Sequence, residues 1–172
     1  MTPAILPVEQ PATLPADNWC TPHWLIERIV DFNGGAIGLD PASNERSLVA
    51  ALVELEGPPY DADGLEYDWC GHDLCFCNPP YSRGQLDRWT AKMCVEADRG
   101  AEIIGLVPAT TATRWWQSMA PRCQAVLFLG KRVRFVGDKS GSPRFDSALI
   151  YFGERRYRFA ESMGDLGWVV LP

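Results

Sequence analysis

Apolar residues along this chain follow two rhythms that alternate with one another. Trp24, Leu25, Ile29 and Phe32 fall at helical spacing and predict a helix. Thr21-Pro22 starts it, a hydroxyl cap and then a proline whose missing N–H costs nothing in a first turn; Asn33-Gly34-Gly35 stops it. Ala36 to Leu39 reads as a short buried strand with Asp40 at its carboxyl end. Ser47 to Glu56 carries Leu48, Leu52 and Leu55 at helical spacing, while Val49 and Val53 leave a strand open, and Pro58-Pro59 ends it either way. Asp73 to Cys77 is the second clear strand. Leu86, Trp89, Met93 and Ala97 then mark one face of a helix that stops at Gly100. Glu102 to Val107 predicts a third buried strand closed by Pro108, and Thr113 to Met119 a helix holding Trp115 and Trp116. Ala125 to Leu129, Val133 to Val136 and Ser147 to Phe152 read as further strands, the last two as an antiparallel pair.

Strands alternating with helices imply an α/β fold with a mostly parallel sheet covered on both faces. Ligands on such sheets bind at the carboxyl ends of the strands, and Asp40 and Asn78 both fall there. At 172 residues the chain is one domain of common size, expected to span residues 17–172. Residues 1–16, with Pro3, Pro7, Pro11 and Pro15 and no apolar rhythm, read as a loose leader.

Composition narrows the class. No run of 18 apolar residues exists and no basic segment precedes an apolar one, so neither a spanning helix nor a signal peptide is expected. The six cysteines then read as reduced thiols of a cytoplasmic protein. Cys70-x-His72-x2-Cys75-x-Cys77 has some of the look of a zinc site, but Cys75 and Cys77 lie two apart on one strand and share a face. They read as small buried hydrophobes, and no metal is expected.

The net charge of −6 hides a division. Residues 1–80 hold 13 acids and 2 bases, whereas residues 131–158 hold 8 bases and 3 acids. An acidic first half and a basic last third imply two working faces, the basic one suited to phosphate.

Asn78-Pro79-Pro80-Tyr81 carries the most specific chemistry. The Asn side-chain oxygen and the carbonyl of Pro79 can each accept a hydrogen bond from an exocyclic NH2 group, drawing its nitrogen out of conjugation. The prolines fix φ and remove backbone donors, which stiffens the turn. Tyr81 offers a π-face on which a base can stack, worth roughly 1–3 kcal/mol.

This tetrapeptide matches the amino-methyltransferase loop of S-adenosylmethionine-dependent enzymes. From about Trp19 to Phe152 the chain resembles the small phage-type DNA N6-adenine methyltransferases of the Dam family. The resemblance rests on Trp19-Cys20-Thr21-Pro22, on Leu39-Asp40-Pro41-Ala42-Ser43-x-x-Arg46, and on Asp63-Gly64-Leu65 followed by Trp69. It continues through the Asn-Pro-Pro-Tyr loop to Gly130-Lys131-Arg132-Val133-Arg134-Phe135. It implies a Rossmann-like methyltransferase sheet with an antiparallel C-terminal strand pair, S-adenosylmethionine as cofactor, and DNA as partner. Thr21 and Pro22 resemble the segment over the methionine end of the donor, and Asp40, Pro41, Ala42 and Ser43 the loop beneath it. Asp63 and Leu65 resemble the segment that holds its adenine. Asn78, Pro79, Pro80 and Tyr81 would be catalytic, with Asn78 also close to the donor.

An adenine within a duplex hides its amine, so such an enzyme must flip the base. Trp115, Trp116 and Phe135 are candidates for the second wall of the base pocket, although adjacent tryptophans cannot share a helix face. Lys131, Arg132, Arg134 and Arg144 are the candidate DNA contacts, with Arg155, Arg156 and Arg158 as an extension. Little chain is left for separate target recognition, which falls to short loops such as Asp138 to Phe145. Methylation of RNA or of a protein glutamine is the alternative within the same chemistry, and a catalytically silent DNA-mimic or interaction protein the alternative outside it.

Overall fold

The computed structural model describes residues 19–57, 62–137 and 145–172. The expected leader at 1–16, Pro58-Pro59, Arg144 and most of the loop before Phe145 lie outside the described residues. Helix α1 (His23–Asn33) buries Leu25, Ile26, Ile29 and Phe32, one stripe at helical spacing. Pro22, not Thr21, occupies its cap position, extended at φ −70° and ψ 147°, so Thr21 lies one residue outside the helix and caps nothing. Gly34 closes the helix in the left-handed region at φ 77°, its N–H reaching the carbonyls of Val30 and Asp31.

The strands are β1 (Leu39–Asp40), β2 (Val53–Glu54), β3 (Cys75–Cys77), β4 (Ile103–Pro108), β5 (Ala125–Leu129), β6 (Ser147–Phe152) and β7 (Gly167–Val170). They form one sheet in the order β2-β1-β3-β4-β6-β5-β7. The first four run parallel, while β6 and β7 each run antiparallel to their neighbours. The architecture is the α/β methyltransferase type expected, with its antiparallel element at the C-terminal side.

Helices α1 and α4 (Arg156–Met163) cover one face of the sheet, and α2 (Gln85–Asp98) and α3 (Arg114–Met119) cover the other. Because strand residues alternate between faces, Phe76, Leu106, Leu127 and Leu149 fill the first interlayer while Cys75, Cys77, Ile103 and Ile150 fill the second. Cys75 and Cys77 therefore share a face, and burial pushes the Cys75 thiol up to about 12. Gly105 is where the second interlayer is tightest: a Cβ there would stand 2.9 Å from Met93 and from Ile150.

Of the two readings open for Ser47 to Glu56 the strand holds, as the two-residue β2 with Leu52 exposed, because pairing beside β1 outweighs the helical spacing of its leucines. Val133 to Val136 is no strand; β5 and β4 already occupy both edges of β6, and Val136 makes only a single antiparallel bridge with Cys20. Helix α4 and strand β7 follow where no periodicity pointed to them.

Candidate functional site

Strands β1 and β3 are parallel neighbours, with Leu39 opposite Cys75. Asp40 ends β1 and Asn78 follows β3, so both emerge at the same edge of the sheet. Thr21, Asp40, Ala42, Asn44, Ser47 and Asn78 are among the residues lining one small cavity of about 10 Å³ there. The Asp40 carboxylate is 3% exposed, and among the described residues it accepts from neutral donors, the Ala42 N–H at 3.1 Å and the Ser47 hydroxyl at 3.4 Å. Burial pushes its carboxyl up to about 7, against the hydrogen bond from Ala42; repulsion from Glu54 adds to the rise. Glu54 lies directly opposite Asp40 in the β1–β2 register, a second acid at this edge.

Three buried side-chain oxygens among the described residues lack any hydrogen-bond partner: Thr21 Oγ1, Ser43 Oγ and Ser147 Oγ. Such groups cost about 1–3 kcal/mol each when left unsatisfied. All three belong to the carboxyl edge: Thr21 lines the cavity with Asp40, Ser43 sits three residues after Asp40, and Ser147 opens β6 opposite Pro108.

Asp63-Gly64-Leu65 meets the Asp40 loop through its glycine. A Cβ on Gly64 would stand 1.8 Å from the Pro41 carbonyl oxygen, so only glycine lets the two backbones touch. Asp63 Oδ1 accepts the Leu65 N–H at 2.9 Å, and Trp69 Nε1 donates to the Gly64 carbonyl at 2.8 Å. The Trp69 N–H is itself held by buried Glu96 at 3.1 Å.

Asn78 Nδ2 donates to the Trp19 carbonyl at 3.2 Å. The Tyr81 hydroxyl lies 2.9 Å from Asn78 Oδ1 and 3.0 Å from the Leu106 carbonyl, two acceptors for its one proton. Burial pushes the Tyr81 phenol well above its ordinary value, so it stays a donor. Its ring meets Phe135 and Phe145 edge-on, at centroid distances of 6.0 and 5.5 Å, and Trp19 stacks on Phe135 at 5.6 Å. Pro79 is buried and Pro80 half-buried beneath this cluster.

Of the three aromatics expected around the acceptor, only Phe135 is present. Trp115 and Trp116 are both buried on the opposite face of the sheet, Trp116 against Phe128. Adjacent tryptophans can both be core because α3 packs beside α2 while Trp116 also meets Phe128 of the sheet. Trp19 and Phe145 take their place, and nothing in the local pattern singled them out; Trp19 was visible only as part of the Trp-Cys-Thr-Pro segment.

Lys131, Arg132 and Arg134 follow β5, whose carboxyl end lies at the same edge. All three are exposed, and Arg132 Nε pairs with Asp146 Oδ1 at 3.1 Å. Lys131, Arg134, Trp24, Gly130 and Gly167 border a concavity of about 800 Å³. Arg155, Arg156 and Arg158 do not extend this patch: Arg156 borders a concavity with Glu102, and Arg158 lies beside Gly34 after α1. Arg155 grips Glu102, just before β4, at 2.8 Å and also reaches Asn33 Oδ1 at 2.9 Å, at the amino edge of the sheet. A concavity of similar size, about 850 Å³, lies at that amino edge beside Glu102 and Arg155, away from Asp40 and Asn78. Size alone does not tell these concavities apart.

Asp68, Cys70 and Glu96 bring ligand-capable atoms within 4.8 Å of one another, but Arg99 and Lys92 already neutralise both carboxylates. No helix among the described residues is long and apolar enough to cross a membrane.

A sheet of this order, parallel from β2 to β4 and antiparallel at its C-terminal strands, has the methyltransferase fold. The sequence matches the family profile of DNA N-6-adenine-methyltransferase (Dam) over residues 11–152, and the chain belongs to that family. Searches of curated proteins and of solved structures find no match.

Proposed function

We propose that residues 17–172 form one catalytic domain that transfers a methyl group from S-adenosylmethionine to the exocyclic amine of adenine in DNA, in the cytoplasm of a bacterial or phage-infected cell. The observation that carries the proposal is the meeting of Asp40 and Asn78 in one cavity with the unpartnered hydroxyl of Thr21. S-adenosylmethionine, when bound, supplies an electrophilic methyl on a sulfonium. The residues fit it. Asp40 offers a buried carboxylate without a cationic partner among its hydrogen bonds, suited to the donor's amino group or its ribose hydroxyls. Thr21 and Ser43 offer hydroxyls awaiting partners, and Pro22, Pro41 and Ala42 complete the walls. Asp63 and Leu65 hold the donor's adenine, a role supported by the packing of Gly64 on Pro41.

On the acceptor side, Asn78 Oδ1 and the Pro79 carbonyl receive the two amine protons of the flipped base, turning the nitrogen lone pair toward the donor. Pro80 keeps that turn stiff, and Tyr81 stacks on the ring. Positioning reacting atoms at about 3–3.5 Å supplies several kcal/mol of the barrier reduction. No strong general base is needed, since the amine proton becomes acidic only as the new bond forms. Lys131, Arg132, Arg134 and Arg144 meet the phosphates.

Incubating the purified chain with methyl-labelled donor and duplex DNA tests the proposal. Label recovered as N6-methyladenine supports it. Label only in RNA or in protein glutamine overturns the acceptor, and DNA binding without any label transfer points to a silent interaction protein.

A further inference from the structure

The third unpartnered hydroxyl, on Ser147, is used by none of the roles above. We infer that Ser147 reads the acceptor base, its hydroxyl donating to a ring nitrogen of the flipped adenine. This rests on the proposed acceptor chemistry.

Ser147 is 1% exposed, and its Oγ has no partner. Strand alternation puts its side chain on the face of Leu149 and Tyr151, which belong to the same core as Phe135 and are packed by Tyr81 and Phe145. That is the aromatic side of the Asn-Pro-Pro-Tyr turn. Along the strand, Ser147 pairs with Pro108, and Leu149 pairs with Leu106, whose carbonyl receives the Tyr81 hydroxyl. Ser147 thus stands one step nearer the carboxyl edge than the atom that anchors Tyr81.

The lateral distance also suits a purine. Two strand spacings separate β3 from β6, about 9–10 Å. With the amine held at the Asn78 end, a hydroxyl at the β6 end faces another edge of the ring. Every ring nitrogen there is an acceptor, and a serine hydroxyl can donate to it. An alanine at 147 would leave the fold with one less unsatisfied group.

That last point separates recognition from structure. Removing an unpartnered buried hydroxyl should leave Tm unchanged or slightly raised, whereas a structural serine would lower it. The test uses the full chain and oligonucleotides whose target adenine is replaced by its 1-deaza, 3-deaza or 7-deaza analogue. Wild type should lose tenfold or more in kcat/KM on one of the three. Ser147→Ala should lose a similar factor on adenine and nothing further on that same analogue, with an unchanged affinity for S-adenosylmethionine. Equal losses by Ser147→Ala and wild type on every analogue, or normal activity of Ser147→Ala on adenine, would overturn the assignment while leaving the methyltransferase reading intact. A lowered Tm for Ser147→Ala overturns it as well, in favour of a structural role. A wild type that methylates no adenine strand overturns the underlying reading and this one with it.

Discussion

The Tyr81 hydroxyl lies 2.9 Å from Asn78 Oδ1, while the other end of the same amide donates to the Trp19 carbonyl at 3.2 Å. The amide is held at both ends, which fixes its oxygen as the acceptor facing the aromatic side. A carbonyl oxygen has two lone pairs, so one remains for the substrate amine. Asn78→Ala should lower kcat on DNA by a hundredfold or so, as losing a hydrogen bond made in the transition state does. Donor affinity should stay close to wild type by calorimetry. Near-normal turnover of the folded variant would remove Asn78 from the mechanism.

Tyr81 has two separable functions in this geometry. Tyr81→Phe keeps the ring and loses only the tether to Asn78 and Leu106, so kcat should fall while KM for DNA holds. Tyr81→Ala also loses the stacking face, and KM should rise by tenfold or more. Steady-state kinetics on one duplex distinguishes them; identical kinetic changes in both variants would mean that the ring never meets the base.

Asp40 makes a pH prediction whose sign can be worked through. Burial raises its carboxyl from the usual 3.8 to about 7, so between those values the folded state binds more proton than the unfolded one. Stability therefore falls as pH rises from about 4 to 7, by on the order of 4 kcal/mol in the absence of donor. Asp40→Asn should raise Tm at pH 8 and do little near pH 3.5. A cationic group of the donor needs the ionised carboxylate, so wild-type affinity should weaken as pH drops through 7, and the Asn variant should bind weakly at all pH. A flat wild-type titration by calorimetry would place the donor elsewhere.

The basic stretch predicts a change in salt dependence. Each phosphate contact adds about 0.9 to the slope of log affinity against log salt. Lys131 and Arg134 are exposed at the carboxyl edge, whereas Arg132 shares its charge with Asp146. The Lys131→Ala, Arg134→Ala double variant should flatten the slope by about two units. Arg155→Ala should leave it unchanged and lower Tm, because its charge is spent on Glu102. Equal slopes for wild type and the double variant would move the DNA surface away from this stretch.

How much of this was legible in the sequence depends on whether the signal was local. β5 and β6 are found where their apolar runs lie, and α1 and α2 where their stripes and glycines put them. Asp40 and Asn78 were readable as partners because parallel strands place their carboxyl ends together. The aromatic wall was not: Trp19 and Phe145 come from segments 126 residues apart and converge through tertiary packing alone. Trp115 and Trp116 misled because a helix that packs both beside α2 and against Phe128 buries both flanks. The arginines of α4 looked like part of the basic patch until the antiparallel course of β6 carried the chain to the far edge. Ser147 gave no local sign, since an orphaned hydroxyl is a property of surroundings.

Gly64 gives the sharpest structural prediction, since its cost falls on backbone. A Cβ at 64 would lie 1.8 Å from the Pro41 oxygen, 2.8 Å from the Pro41 carbonyl carbon and 3.0 Å from the Trp89 ring. No side-chain rotation relieves the first two, so Gly64→Ala must lift the Asp63–Leu65 segment off the Asp40 loop. Trp69 opposes that movement through its bond to the Gly64 carbonyl, and overpacking of this kind costs about 1–3 kcal/mol. Tm should fall by several degrees, and affinity for S-adenosylmethionine by tenfold or more, because the two walls of the donor site part together. The slope of DNA binding against salt should not move, since Lys131 and Arg134 lie beyond β5. Gly35→Ala, which meets nothing within 4 Å, is the control and should leave donor affinity at the wild-type value. Donor affinity retained in Gly64→Ala despite a lowered Tm would show that this contact serves the fold alone, and that the donor's adenine lies away from Asp63 and Leu65.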